Sequence, residues 1–160
     1  MSTRQTARQN VRPDAGDVLP FSATIEVRHA CLCLHVQRAA RMLARRFDEA
    51  LRPFDLTSGQ FSLLVSLNRP EPPTINSVAT LLAMDRTTLT ANLKPLERRG
   101  LLKVAVDKED KRARRLLITA AGRNLLQKAY PTWKATHAEV ERLITGGSAD
   151  QLRGALRNLA

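Results

Sequence analysis

The spacing of apolar residues changes repeatedly along the chain, and each change marks an element. Leu32, Val36, Ala39, Leu43, Phe47 and Leu51 recur at helical spacing, with Arg38, Arg41, Arg45 and Arg46 mostly off that stripe. This predicts one long helix over residues 22–51, ended by Pro53, which cannot continue it. A second helix is predicted from Ser58 to Leu67, with Phe61, Leu64 and Val65 facing inward. The segment 68–73, rich in proline, reads as a stiff connector.

Two shorter helices follow. Ile75, Val78, Ala79 and Leu82 share a face, with Thr74 or Asn76 as cap. Ala83 and Met84 form a turn. Asp85 caps the next helix, in which Leu89, Leu93 and Leu96 point inward while Arg86, Thr87, Thr90, Ala91 and Lys94 fall elsewhere. Pro95 predicts a bend, and Gly100 a left-handed cap after Arg98 and Arg99. The period then drops to two. Leu102, Val104 and Val106 alternate with Lys103 and Ala105, and Leu116 and Ile118 resume the pattern, which predicts a hairpin. Its basic tip is read as Asp107–Arg115, with Asp110 placed to orient Arg112. Thr119 caps a long helix over 120–145, bent at Pro131, with Leu125, Ala129, Trp133, Val140 and Ile144 on its apolar side. Ser148 and Gln151 form a capping box for a last helix reaching about Leu159.

Two short helices, a tight turn and a hairpin describe a winged helix-turn-helix. The fold class is therefore mainly α with a small β-hairpin wing, flanked by N- and C-terminal helices. The first half of the second short helix in such a unit reaches base edges and phosphates in the major groove. Threonine hydroxyls bond phosphates or bases, and an arginine there makes a bidentate contact to guanine. An arginine on a protruding hairpin is drawn into a narrow minor groove. The candidate DNA-binding residues are Arg86, Thr87, Thr88, Thr90, Asn92, Lys94 and Arg98 on the helix, and Lys111, Arg112 and Arg114 on the hairpin. A solvated charged hairpin is the simpler alternative. Its position, directly after a two-helix unit ending in glycine, favours the DNA reading.

Charge strengthens that reading. The 160 residues suit one domain with a core and carry a net charge of +11, which calls for a polyanionic partner. Aromatic residues are only 4%, too few for the stacking platforms of single-strand binders. No apolar run approaches the ~20 residues of a membrane span. Residues 1–20 are polar and lack the apolar core of a secretory signal, so they read as a flexible, solvated tail, with contact of Arg4, Arg8 and Arg12 to DNA as the lesser alternative. Two cysteines without a disulfide framework suit a cytoplasmic location. His29, His35 and His137 have no metal-ligand spacing and there is no glycine-rich phosphate loop, so neither an enzyme nor a cofactor is expected.

Particular residues also resemble a known family. Leu96-Glu97-Arg98-Arg99-Gly100-Leu101, Asp110-Lys111-Arg112, Leu117-Ile118-Thr119 with Gly122, and Leu56-Thr57 with Gln60-Phe61 resemble the multiple-antibiotic-resistance-regulator (MarR) family over roughly residues 25–145. The resemblance implies a homodimeric transcription regulator, often a repressor released by a small ligand or an oxidant. It implies one domain over 21–160, with dimerisation helices about 22–52 and 120–160 around a DNA module about 57–119. Such a dimer reads a pseudo-palindromic operator with half-sites ~34 Å apart. The family's effector pocket lies between the long first helix and the DNA module. Its candidate walls here are His35, Arg38, Met42 and Phe61, with Trp133, and an aromatic carboxylate is a candidate effector.

Cys31 and Cys33 are two apart, ~200° around a helix, so they bridge only if the helix unwinds. His29 with Cys33, and Cys31 with His35, are four apart and share a face, where an imidazolium would favour thiolate. Cys33 aligns with the reactive cysteine of the family's organic-hydroperoxide branch, whose tyrosines are replaced here by Gln37 and Phe47. Three readings stay open: both cysteines as buried small apolar residues, a thiol-based sensor, or a thiophilic metal or metalloid site. A nonspecific architectural DNA-binding protein also stays open.

Overall fold

A computed structural model describes residues 18–159; most of the polar tail, with Arg4, Arg8 and Arg12, lies outside the described residues. The chain divides into two compact units, one ending at Ala40 and the other beginning at Arg41.

The first unit holds α1 (Phe21–Ala30) and the start of α2 (Leu32–Leu51). The single helix predicted over 22–51 is therefore two. The break falls at Cys31, whose backbone is extended at φ −72° and ψ 103°. No proline or glycine sits there. Local hydrogen bonds hold the break instead: the Cys31 sulfur accepts from the Leu34 N–H at 3.4 Å, as an N-cap side chain does, and the His35 ring meets the His29 carbonyl at 3.1 Å. α1 buries none of its residues.

The second unit contains the core. Leu51, Leu56, Phe61, Leu63, Leu64 and Leu67 pack with Val78, Leu89, Leu93, Leu96, Leu102 and Leu116. A 3-10 turn, Arg52–Phe54, holds Pro53 and ends α2. α3 (Ser58–Ser66) opens with a capping box between Thr57 and Gln60. α4 (Ile75–Leu81) is capped by Thr74 rather than Asn76, and α5 (Arg86–Arg98) by Asp85. Between α4 and α5 Ala83 takes a left-handed φ of 49°, a conformation more often given to glycine. Pro95 stays inside α5. Gly100 follows at φ 69°, the αL cap that its position predicts.

β1 (Leu102–Val106) and β2 (Arg114–Ile118) pair antiparallel, Leu102 opposite Ile118 and Val106 opposite Arg114. β2 thus begins before the end of the charged run, and the tip is shorter than Asp107–Arg115. Arg114 and Arg115 fit a strand because alternate side chains leave it on opposite faces. The proline connector becomes structural: Leu116 N–H donates to the Pro73 carbonyl at 2.9 Å, and Thr74 bridges Arg115. Prolines lack an N–H but still accept, which suits them to this outer edge.

α6 (Ala120–Glu141) is capped by Thr119 and keeps Pro131 inside. It stops short of residue 145 because Leu143 and Ile144 bond three residues back, to Val140 and Glu141, tightening the end into a 3-10 turn. α7 (Ala149–Arg157) starts at the Ser148–Gln151 capping box and buries no residue.

These elements are tied where the motif residues lie. The Thr119 hydroxyl donates to the Gly100 carbonyl at 2.7 Å, and the Glu97 carboxylate accepts from the Val104 N–H at 3.3 Å. α6 starts so close to this corner that a β-carbon at Gly122 would lie 2.1 Å from the Leu101 carbonyl oxygen.

Candidate nucleic-acid interface

α5 has two chemically distinct faces. Leu89, Leu93 and Leu96 are buried, while Arg86, Thr87, Thr90, Ala91 and Lys94 line one shallow surface depression. Arg86, Lys94 and Arg98 on α5, and Lys111 and Arg112 on the hairpin, are exposed and have no ion-pair partner among the described residues. Unpaired cations on a helix and a hairpin tip are available to a polyanion.

The other candidate contacts are engaged locally. Asp85 accepts from the Thr88 N–H at 2.8 Å and from its hydroxyl. The hydroxyl bond, with that N–H, holds the Asp85 carboxyl below its ordinary range. Thr88 therefore serves the N-cap. The Thr90 hydroxyl donates to the Arg86 carbonyl at 2.7 Å, leaving only its lone pairs for a ligand. The Asn92 amide leans on the Met84 sulfur at 3.9 Å, and Arg114 folds back on the carbonyls of Lys111 and Ala113.

At the hairpin, Asp110 accepts from the Arg112 N–H at 2.9 Å, so it orients that residue's backbone. Sequence reasoning missed Asp107. Its side chain is buried and ion-paired with Arg115, and it accepts from the N–H groups of Glu109 at 2.8 Å and Asp110 at 3.2 Å. Arg115, then those two N–H groups, pull the Asp107 carboxyl down to about 2. Arg115 also donates to the Pro72 carbonyl at 2.9 Å. An aspartate leading into a turn was visible as an Asx-turn signal, but nothing local announced its arginine.

Of the candidate pocket residues, Phe61 is buried beside a cavity of about 430 Å³. Val65 and four residues of α6, Arg123, Leu126, Tyr130 and Trp133, complete most of its wall. Trp133 stacks on both Phe61 and Tyr130, with ring centroids 5.9 Å apart in each pair. His35, Arg38 and Met42 are exposed on α2. Trp133 is thus a second expected wall residue; Arg123, Leu126 and Tyr130, not expected there, sit three or four apart on α6 with it, a spacing readable in the sequence.

In the single chain Cys31 is half-buried and Cys33 exposed. The Cys33 sulfur accepts from the Gln37 amide at 3.2 Å. Because the helix breaks at Cys31, His29 and Cys33 share no helix face, and the His35 ring turns to a carbonyl rather than to sulfur. Among the described residues no cluster of three or more His, Cys, Asp or Glu could hold a metal, and no helix is long and apolar enough to cross a membrane.

A leucine-backed helix with a cationic outer face, followed by a hairpin fastened at its base, defines a winged helix-turn-helix. The sequence profile of the MarR family matches residues 56–113. A solved structure, the M. tuberculosis transcriptional regulator MosR in complex with DNA, is 40% identical and superposes with a TM-score of 0.74, covering 81% of this chain and 92% of that one. The transcriptional regulator TtmR of Methylorubrum extorquens is 31% identical over 129 residues, 81% of this chain and 64% of its own length. SarZ of Staphylococcus haemolyticus is 28% identical over 109 residues, 68% of this chain and 71% of its own length. The chain belongs to the MarR family of winged helix-turn-helix transcription regulators. It is a regulator, not an enzyme.

Proposed function

We propose that this chain binds a specific double-stranded operator as a homodimer and represses transcription until a ligand or an oxidant releases it. The carrying observation is the outer face of α5, where Arg86 and Lys94, without an ion-pair partner among the described residues, lie together with Thr87 in front of a leucine-packed back. Arg86 and Thr87 read bases, Lys94 and Arg98 meet phosphates, and Lys111 and Arg112 reach the backbone or the minor groove. Leu32, Val36 and Leu43 on α2, and Leu152 and Leu156 on α7, expose apolar surface that a second copy would cover. A regulator acting on the bacterial chromosome works in the cytoplasm. Selection of duplexes from a random pool, followed by footprinting against competitor DNA, tests this. A protected pseudo-palindrome supports it, whereas equal protection of every duplex makes the protein architectural.

The cavity beside Phe61 suits an aromatic carboxylate. The ring would lie among Phe61, Tyr130 and Trp133, with Arg123 at the wall to meet the carboxylate.

The exposed Cys33 favours a second mode of release. The Gln37 amide donates to its sulfur, where the resembled branch has a hydroxyl donor. A hydroperoxide would oxidise Cys33 to the sulfenic acid and leave as the alcohol; condensation with Cys31, already outside the helix, would give a disulfide and water. Loss of operator binding on peroxide treatment, absent in Cys33→Ser, supports this. Unchanged binding by the oxidised wild type refutes it.

A further inference from the structure

Two neighbouring arginines end α5, and the structure treats them differently. Arg98 is exposed without a partner among the described residues. Arg99, the C-cap residue, crosses to the corner between α2 and α3. Its Nη1 donates to the Asp55 carbonyl, and its Nη2 lies 3.4 Å from both the Phe54 carbonyl and the Asp55 carboxylate.

The corner is built to receive it. Asp55 sits at a left-handed φ of 53°, and its own N–H is satisfied by the Arg52 carbonyl at 2.9 Å. Its carbonyl and that of Phe54 both accept from one guanidinium. The same corner is fastened to α3, since Asp48 of α2 accepts from the Ser58 N–H at 2.6 Å. Main-chain acceptors carry the contact, because the Asp55 carboxylate is 91% exposed whereas the Arg99 side chain is 31% exposed. A planar fork spans two adjacent carbonyls; an ammonium would reach one of them at a time. Pro95 supplies no N–H to the last turns of α5, so this end of the helix gains most from an outside anchor.

We infer that Arg99 is a positioning residue for operator recognition, clamping the end of α5 to the α2–α3 corner and so fixing where Arg86 and Thr87 meet the bases. The inference rests on the DNA-binding reading above. Movement of the corner would then be passed to the recognition helix through one side chain.

The test compares Arg99→Met, which keeps the stem and loses the fork, with Asp55→Asn, which keeps both carbonyls. Each binds two duplexes, an operator selected by the wild type and a scrambled sequence of the same length. Arg99→Met is expected to weaken operator binding ~10-fold and leave the scrambled duplex unchanged, because nonspecific binding depends on charge near phosphates rather than on register. Its salt slope is expected to match wild type, its Tm to fall slightly with the lost clamp while the fold is retained, and Asp55→Asn to bind as wild type. Unchanged operator affinity in Arg99→Met overturns the inference. So does an equal loss on both duplexes, or a salt slope lower by ~0.9, the mark of a phosphate contact. A wild type that selects no duplex overturns the DNA-binding reading itself.

Discussion

The guanidinium of Arg115 closes on the buried carboxylate of Asp107 and, through another nitrogen, on the Pro72 carbonyl 2.9 Å away. One side chain thereby fastens the base of the hairpin to the connector ahead of α4. The tip beyond it, with Lys111 and Arg112, projects from a braced base.

That pairing makes the hairpin acid-sensitive in a defined window. The folded Asp107 titrates at about 2, against an ordinary 3.8. A depressed folded value means that the unfolded state takes up the proton first, so the contribution is complete above the ordinary value. It is lost as pH falls from 3.8 towards 2. Protection of the Glu109 and Asp110 amides, whose N–H groups bond this carboxylate, measured against the intrinsic exchange rate at each pH, should fall through that window. Asp107→Asn should remove the acid dependence and loosen the tip at neutral pH.

The two arginines aimed at DNA should fail differently. Arg86→Ala is expected to relax preference at one base pair, at ~1–3 kcal/mol for a bidentate contact. Arg112→Ala is expected to weaken operator binding with Tm unchanged, and Arg114→Ala, folded back on the tip, to do so less. Competition binding with single-base operator variants separates the cases. If Arg112→Ala binds as wild type, the hairpin does not touch the operator.

Gly122 cannot take a side chain without moving its neighbours. A β-carbon there would lie 2.1 Å from the Leu101 carbonyl oxygen and 2.8 Å from an Ile118 side-chain carbon. Gly122→Ala should destabilise the protein by ~1–3 kcal/mol or more, as overpacking does. Urea denaturation measures this. An alanine variant as stable as wild type would show that α6 does not start this close to the end of α5.

The cavity reading has an optical test, because Trp133 is the single tryptophan and forms part of the wall. Salicylate should change its fluorescence saturably. Arg123→Ala should weaken that response, while the response to neutral salicylamide should be the same in both proteins. Equal titrations of the two proteins by salicylate would exclude Arg123 as the carboxylate partner.

The sequence determined the parts governed by neighbours along the chain. Caps at Asp85, Thr119 and Ser148 were legible because an N-cap depends on a side chain two or three residues from the N–H it serves. So were the buried face of α5 and the glycine at its end, since helical period and αL preference are local. Only the tertiary structure decided the long-range matters. Arg98 and Arg99 are chemically identical in sequence, and only the second meets the α2–α3 corner. Asp107 and Arg115 stand at the two ends of one charged run, and strand pairing brings them together. The break at Cys31 escaped because its apolar neighbours keep helical spacing on either side, while a sulfur cap and a ring-to-carbonyl bond hold the turn open. Periodicity records which faces are buried. It does not record which distant group a long side chain meets.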